Sequence, residues 1–400
     1  IKKWQWVSGQ HVFFDGVHFS NTSDQFRMLF AGGVDYATFR HLKCSGSDGT
    51  SGGQSRRCFS LGGSSTDVNS FVVFYDVEIY GMGRWQDDRN TSTDLHGMQM
   101  NKWTRYIWVL NSKIYHVQGD SIQCANSQWF DYDYAARPHY IYISGNEMWE
   151  NYENAYDQKG CYHMVFSDNY VHDFYNSVKS ANNTAIITEQ DSEGDVGGRF
   201  SWFINNRVEN VGQAFAAKAT TSDAYVYILR NQIKNSGSSA LLFTQRCYNG
   251  GSNGQTCPLG LTFAQNTADC GLQGPAIMNP QNPTGSNQNV EIDGNIFYNC
   301  TDGNKASPHN WESFSDVPLT LLHVQNIDYR TTGNITYNTI RFDLLENNIT
   351  NVEVTLDANN LPSITDSVSV SNSAFDLFEQ MYGINIKNWS ALPINAGAAQ

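Results

Sequence analysis

The stretch His139 to Cys161, HYIYISGNEMWENYENAYDQKGC, reads as one turn of a right-handed parallel β-helix. It opens on Tyr140-Ile141-Tyr142-Ile143, whose alternating large side chains suit a pleated strand. A turn at Gly145 and Asn146 leads to a second short strand through Met148 and Trp149. Glu153-Asn154 turns the chain again into a third, Ala155 to Lys159, which ends at Gly160. Three strands and their polar corners make one coil.

The unit recurs along the chain. The segments WVLNSKI, ISGNEMW, FSDNYVH, FINNRVE, ILRNQIK, FAQNTAD, IDGNIFY and ITYNTIR align Asn111, Asn146, Asn169, Asn206, Asn231, Asn266, Asn295 and Asn338 at one corner. Asn tolerates left-handed backbone, and stacked amides hydrogen-bond along a column, so these residues read as an internal ladder. Earlier coils are looser, with Asp15 or Asp76 at or near the corner, and the pattern persists in VEVTLDANNL and SVSVSNSAF. Ala374 to Tyr382 has helix-like apolar spacing and reads as a cap over the last coil. A solenoid lengthens by adding coils, not domains. The expected architecture is therefore all-β: a single right-handed parallel β-helix over 1–400 of about ten to twelve coils. Looser coils fall in 1–95, central coils with a cleft in 96–300, and C-terminal coils and cap in 301–400.

A net charge of −14 lacks the basic stripe that nucleic acid or an anionic membrane surface requires. The apolar runs are far shorter than the ~20 residues that span a bilayer. With no initiating Met and no basic-plus-apolar leader, the chain reads as either a processed product or an expressed piece from which any export signal has been removed. Eight cysteines point to disulfides and an extracellular location, with candidate pairs Cys44–Cys58, Cys247–Cys257, Cys270–Cys300 and Cys124–Cys161. No Cys/His cluster has zinc spacing. Sequons stand at Asn21, Asn90, Asn182, Asn299, Asn334, Asn348 and Asn388.

Chemistry is expected on the strand after the second corner. Aligning HGMQMNK, SIQCAN, AYDQKG, AIITEQ, AFAAKA, ALLFTQ and AIMNPQ stacks Met98, Ile122, Tyr156, Ile186, Phe215, Leu241 and Ile277 as one core column. Their neighbours face outward: Gln99, Gln123 and Asp157 in one file, and Asn101, Lys159, Glu189, Lys218 and Thr244 in the other. Lys159, Glu189 and Lys218 then follow one another at about 4.8 Å per coil. A compensating surface charge ladder is the plain reading. Polar clustering near mid-chain favours a cleft, since the outward positions farther on are Leu242, Met278 and Pro280. Beside it SQWFDYDYAARPHY supplies Trp129, Tyr132, Tyr134 and Arg137, rings and a cation suited to a sugar chain. His96 and Asp120 open strands at the edge of this region.

The coil grammar across nearly the whole chain resembles the right-handed parallel β-helix proteins of the pectate-lyase-like superfamily. Asn154-Ala155-Tyr156-Asp157-Gln158-Lys159-Gly160 resembles the strand that carries the basic lysine in several of its polysaccharide lyases, and Gln213 to Lys218 is similar to another lysine-bearing strand. The chain departs from the calcium-dependent lyases in lacking several aspartates on neighbouring coils, and no arginine falls beside Lys159. The resemblance implies β-elimination on a uronate-containing polysaccharide, with Lys159 or Lys218 as base. The other lysine, or a calcium ion held by Asp157 and Glu189, neutralises the uronate carboxylate, and a tyrosine or His96 protonates the leaving oxygen. Two alternatives stay open. Asp157 and Glu189 suit an inverting glycoside hydrolase by spacing. A non-catalytic glycan-binding scaffold or filament would instead self-associate through the uncapped N-terminal edge, Ile1 to Val7.

Overall fold

The computed structural model describes residues 4–6, 9–20, 28–30, 32–47, 57–83, 95–125, 134–174, 184–188, 199–219, 224–245, 259–270, 277–278, 289–293, 295–298, 327–329, 349–350 and 373–382. The strand pairings among them are parallel, and each strand pairs with its counterpart a coil away, which is a parallel β-helix. Face one is a ten-stranded sheet running from Gly9–Asp15 through His139–Ser144 to Asn289–Asp293. Face two includes Lys113–Val117, Glu147–Trp149 and Tyr170–His172. Face three includes His96–Met100, Ile122–Ala125, Tyr156–Lys159 and Thr184–Thr188. Two long strands, Arg207–Ala219 and Gln232–Gln245, run through both of the latter faces and join them in one sheet.

The interior is built by register. Met98, Ile122, Tyr156, Ile186, Phe215, Leu241 and Ile277 pair in unbroken succession on face three, as the alignment predicts. Phe14, Phe39 and Phe74 stack inside face one at 5.4 and 5.2 Å. Each such side chain withdrawn from water contributes about 1.5–3 kcal/mol.

At the corner after face one, Asn146, Asn169, Asn206, Asn231, Asn266 and Asn295 are buried. Each of the first five donates its side-chain N–H to the Oδ1 of the next at 2.9–3.1 Å. Asn111 does not belong to this column. It sits one residue earlier, with a left-handed φ of 49°, and Ser112 takes the ladder position, its backbone N–H donating to Asn146 Oδ1 at 2.8 Å. The reason is a division of labour at the corner. The left-handed turn belongs to the preceding residue, Gly145, Asp168, Asn205, Arg230 or Gln265, and the ladder amide follows it. Asn338 and all seven sequon asparagines lie outside the described residues.

A row of eight rings runs along the outer side of face one: His11, Tyr36, Phe71, Tyr106, Tyr140, His163, Phe200 and Tyr225. Successive rings stack at 4.8–5.3 Å. The first seven have φ between 49° and 56°. Each is a local bulge whose left-handed backbone costs about 1 kcal/mol, offset by stacking on both neighbours. The row ends where Gly260 pairs with Tyr225, since a Cβ there would lie 2.5 Å from the tyrosine ring.

The helix Ser373–Tyr382 is not a cap over the last coil. Phe378 and Tyr382 meet Trp202 edge-on, within a cluster that includes Val165, Tyr227 and Leu229. The helix braces the outer side of face one because Trp202 and Tyr227, stacked at 3.9 Å, form an apolar platform there.

Cys44–Cys58 and Cys124–Cys161 are disulfides, and Cys270 is also disulfide-bonded. Cys247, Cys257 and Cys300 lie outside the described residues. The Cys124–Cys161 bridge closes 37 residues and is buried in the core. Replacing both cysteines by alanine is expected to cost about 3 kcal/mol, read as a lower denaturant midpoint, with a steeper slope because the unlinked unfolded chain exposes more surface.

Candidate functional site

The outward file on face three is assembled by strand register: Gln99 lies beside Gln123, and Gln123 beside Asp157. All three are nearly buried although they point away from the core. They are joined by hydrogen bonds. Gln99 Nε2 donates to Gln123 Oε1. Gln123 Nε2 donates to Asp120 Oδ2 at 3.1 Å and to Asp157 Oδ2 at 3.3 Å. Lys159 Nζ lies 3.1 Å from the same Asp157 oxygen, and its side chain keeps 26% of its exposure. The result is a polar line across three coils that ends in an accessible cation. Asn101 stands apart from it, giving its amide to Ser60 Oγ at 3.3 Å.

The remaining sequence candidates are less closely assembled. Lys218 pairs with Thr244 at the backbone, and its side chain is not described. Glu189, Trp129 and Tyr132 lie outside the described residues, while Tyr134 begins a short helical turn with its side chain not described. Arg137 does not line the face-three file. It is buried before face one, its guanidinium 5.2 Å above the Tyr162 ring, because it sits two residues ahead of the strand His139–Ser144.

His96 and Asp120 belong to a second buried polar ladder, which the sequence reading missed. The Asp120 N–H donates to His96 Nδ1 at 3.1 Å, and the Asn154 N–H donates to Asp120 Oδ1 at 3.0 Å. Asn154 bonds the Thr184 carbonyl, Thr184 donates to Gln213 at 2.8 Å, and Gln213 donates to Ser239 at 2.8 Å. The signal available was a polar residue two positions before each core residue of the column from Met98 to Leu241. Their burial follows from parity: His96 and Asp120 share the inward side with Met98 and Ile122. Tyr156 also points inward, and burial pushes its hydroxyl well above the usual range, so it does not donate a proton outside.

Two groups bear on metal binding. Asp157 already faces the Lys159 ammonium, a cation in the place calcium would need, so the file does not fit calcium and no step is assigned to it. His96, Asp120 and Glu153 each offer a ligand atom within 4.8 Å of the others, but His96 and Asp120 are already engaged in the ladder.

On face one, His139 and His163 have lowered pKa values. Burial is the main cause in both, aided by the charge of Arg105 on His139 and of His139 on His163, while the Arg137 carbonyl opposes the shift at His139. The fold thus favours neutral imidazoles. Their stabilisation is full above about pH 6.5 and is lost as pH falls through that value towards the depressed folded pKa. Melting temperature is expected to fall between about pH 7.5 and pH 5, less steeply in His163→Gln.

No protein-family model matches the sequence, and no curated protein matches it. Among solved structures, the chain is similar to the A-module of the Azotobacter vinelandii mannuronan C-5 epimerase AlgE6, at 12% identity over 74% of this chain and 84% of that one, with a TM-score of 0.39. The A-module of the mannuronan C-5 epimerase AlgE4 from the same organism matches at 10% identity over 73% and 87%, with a TM-score of 0.38. An alginate lyase from Paenibacillus sp. str. FPU-7 matches at 9% identity over 79% and 94%, with a TM-score of 0.34.

Proposed function

We propose that this protein acts outside the cell on a uronate-containing polysaccharide and cleaves it by β-elimination at face three. The observation that carries this reading is the Lys159 ammonium, set 3.1 Å from the buried Asp157 carboxylate at the accessible end of the polar line. Elimination needs a cation against the uronate carboxylate, because the proton at C5 becomes removable only when the charge developing on that group is stabilised. Lys159, held in place by its ion pair with Asp157, fills this role.

The base is Lys218. Extending the face-three register by one residue beyond Thr188–Ala217 and Gln158–Thr188 sets Lys218 two coils from Lys159 in the same outward file, or about 10 Å at the backbone. A neutral amine there takes the C5 proton, the C5–H electrons form the C4–C5 double bond, and the C4–O4 bond breaks. The departing oxygen leaves with a proton from solvent or a nearby donor. The disulfides Cys44–Cys58 and Cys124–Cys161 support an oxidising compartment.

The test is incubation with a panel of uronate polymers while following the ultraviolet absorbance of the unsaturated uronate. A rise that depends on Lys159 and Lys218 supports elimination. New reducing ends without that absorbance would replace it with hydrolysis through Asp157 and Glu189. Silence in both assays would leave a binding scaffold.

A further inference from the structure

We propose that the outer side of face two carries a sugar-binding notch beside Tyr80, where one pyranose unit of a polysaccharide stacks on the uncovered face of that ring. The inference rests on the reading of a polysaccharide as the ligand, and it sets this contact on a different wall from the face-three file.

The notch begins as a break in a stack. Along face two, Tyr80, Tyr115, Trp149 and His172 share one outward file by register. Their rings stack in series at 5.4, 4.2 and 5.7 Å, with planes within 11° of parallel. Tyr115 and Trp149 thus have a ring on each side, whereas among the described residues Tyr80 meets one ring, that of Tyr115. On its other side the register puts Ser45 and then Ser20, small side chains on two successive coils. At about 5 Å per coil, a flat ligand finds there the place that further rings of the stack would fill.

The flank of the notch is also cut back. The residue after each stacked ring is a bulge with left-handed backbone, and on later coils it carries a side chain: His116, Glu150 and Asp173, at φ 54°, 49° and 61°. Beside the notch the same positions are Gly81 and Gly46. The backbone does not demand glycine there, because the later coils hold this conformation without it. A Cβ added at Gly81 would meet no atom nearer than the Gly46 nitrogen, at 3.9 Å, so space lies beside the Tyr80 ring.

The opposite flank is polar. His18 Nε2 and Ser45 Oγ lie 3.0 Å apart, and Lys43 Nζ lies 2.6 Å from Glu78 Oε2. This combination selects the occupant. A pyranose has a C–H face for the tyrosine ring and hydroxyls at its rim that exchange hydrogen bonds with Ser45, His18 and Lys43. An apolar side chain of a protein would cover the ring but strip water from those groups without replacing its hydrogen bonds. Trp149 lies on the coil of Lys159, and Tyr80 two coils before it. The notch therefore takes a sugar remote from the reacting unit and acts by retaining the polymer.

The experiment measures binding of polygalacturonate and polymannuronate by titration calorimetry in a Lys159→Ala background, which removes turnover. At least one polymer is expected to bind, about tenfold more weakly after Tyr80→Ala or Ser45→Leu and unchanged after Tyr80→Phe, which keeps the ring face. Ser45→Leu fills the notch while leaving Tyr80 on its stack, so it decides the point even where Tyr80→Ala folds poorly. The proposal is overturned if neither polymer binds, if Ser45→Leu binds like its parent, or if Tyr80→Phe loses as much as Tyr80→Ala. With Lys159 present, Ser45→Leu should raise KM for the polymer and leave kcat unchanged. Binding that needs Tyr80 and an unfilled notch, in a protein that never yields unsaturated product, would remove the elimination reading and leave this subsite. Elimination with the same KM in the parent and in Ser45→Leu would do the reverse.

Discussion

Lys159→Ala is expected to lower elimination turnover by about a thousandfold, with a lower melting temperature because the buried Asp157 carboxylate loses its cation. The side chain is partly exposed and ion-paired with Asp157, so removal creates no cavity in the core. Its absence takes that cation away from the Asp157 carboxylate, beside which the substrate carboxylate must sit, and so adds repulsion to the lost stabilisation. Lys159→Arg keeps the charge and should retain more activity than Lys159→Ala, since neutralisation rather than proton abstraction is the assigned role. Asp157→Asn separates the two parts of the argument. It preserves shape and the bond from Gln123 but releases Lys159 from its carboxylate, so activity should fall as the ammonium is no longer held in place. Equal losses in Lys159→Ala and Lys159→Arg would transfer the role of base to Lys159.

Much of the wall was legible because a parallel coil repeats its inward and outward sides. Seven core residues from Met98 to Ile277 stack as the alignment requires, and Gln99, Gln123 and Asp157 share a file for the same reason. The corner was read one residue out of step at Asn111. Its LNS sequence puts Asn at the left-handed turn and Ser112 at the ladder position, whereas at Gly145-Asn146 the glycine takes the turn and the Asn falls on the ladder position. The brace formed by Ser373–Tyr382 was not legible, because amphipathic spacing reveals that a helix has an apolar side but not which wall that side covers.

The site was legible only in its local part. Alternation brings Asp157 and Lys159 to one side of one strand, and their ion pair follows from that. Arg137 lies close in sequence to the candidate region, yet it is buried on a different wall because a coil separates successive faces by turns whose direction the residue order does not disclose. The ladder through His96 and Asp120 was missed because its members are chemically mixed. His, Asp, Asn, Thr, Gln and Ser satisfy one another in series without leaving a repeated letter.

The ladder with a repeated letter gives the largest expected loss of stability. Asn206→Ala should destabilise the fold by about 4 kcal/mol. Asn206 Oδ1 accepts from the Asn169 backbone at 3.0 Å and from its side chain at 3.1 Å, while Nδ2 donates to the Phe166 carbonyl and to Asn231 Oδ1, both at 2.9 Å. Truncation therefore leaves donors and acceptors buried without these partners, and the loss exceeds the ordinary net worth of the bonds themselves. Asn206→Asp preserves volume and the acceptor but sets a carboxylate against two oxygens, so it should not rescue stability near neutral pH and should recover only as the acid protonates. Asn205→Gly is the control. Asn205 occupies the left-handed turn at φ 55° on the exposed side, a conformation glycine adopts freely, so the expected change is below about 1 kcal/mol. Chemical denaturation of the three variants decides the point. Equal midpoints for Asn206→Ala and Asn205→Gly would mean that the amide column adds nothing beyond the packing around it.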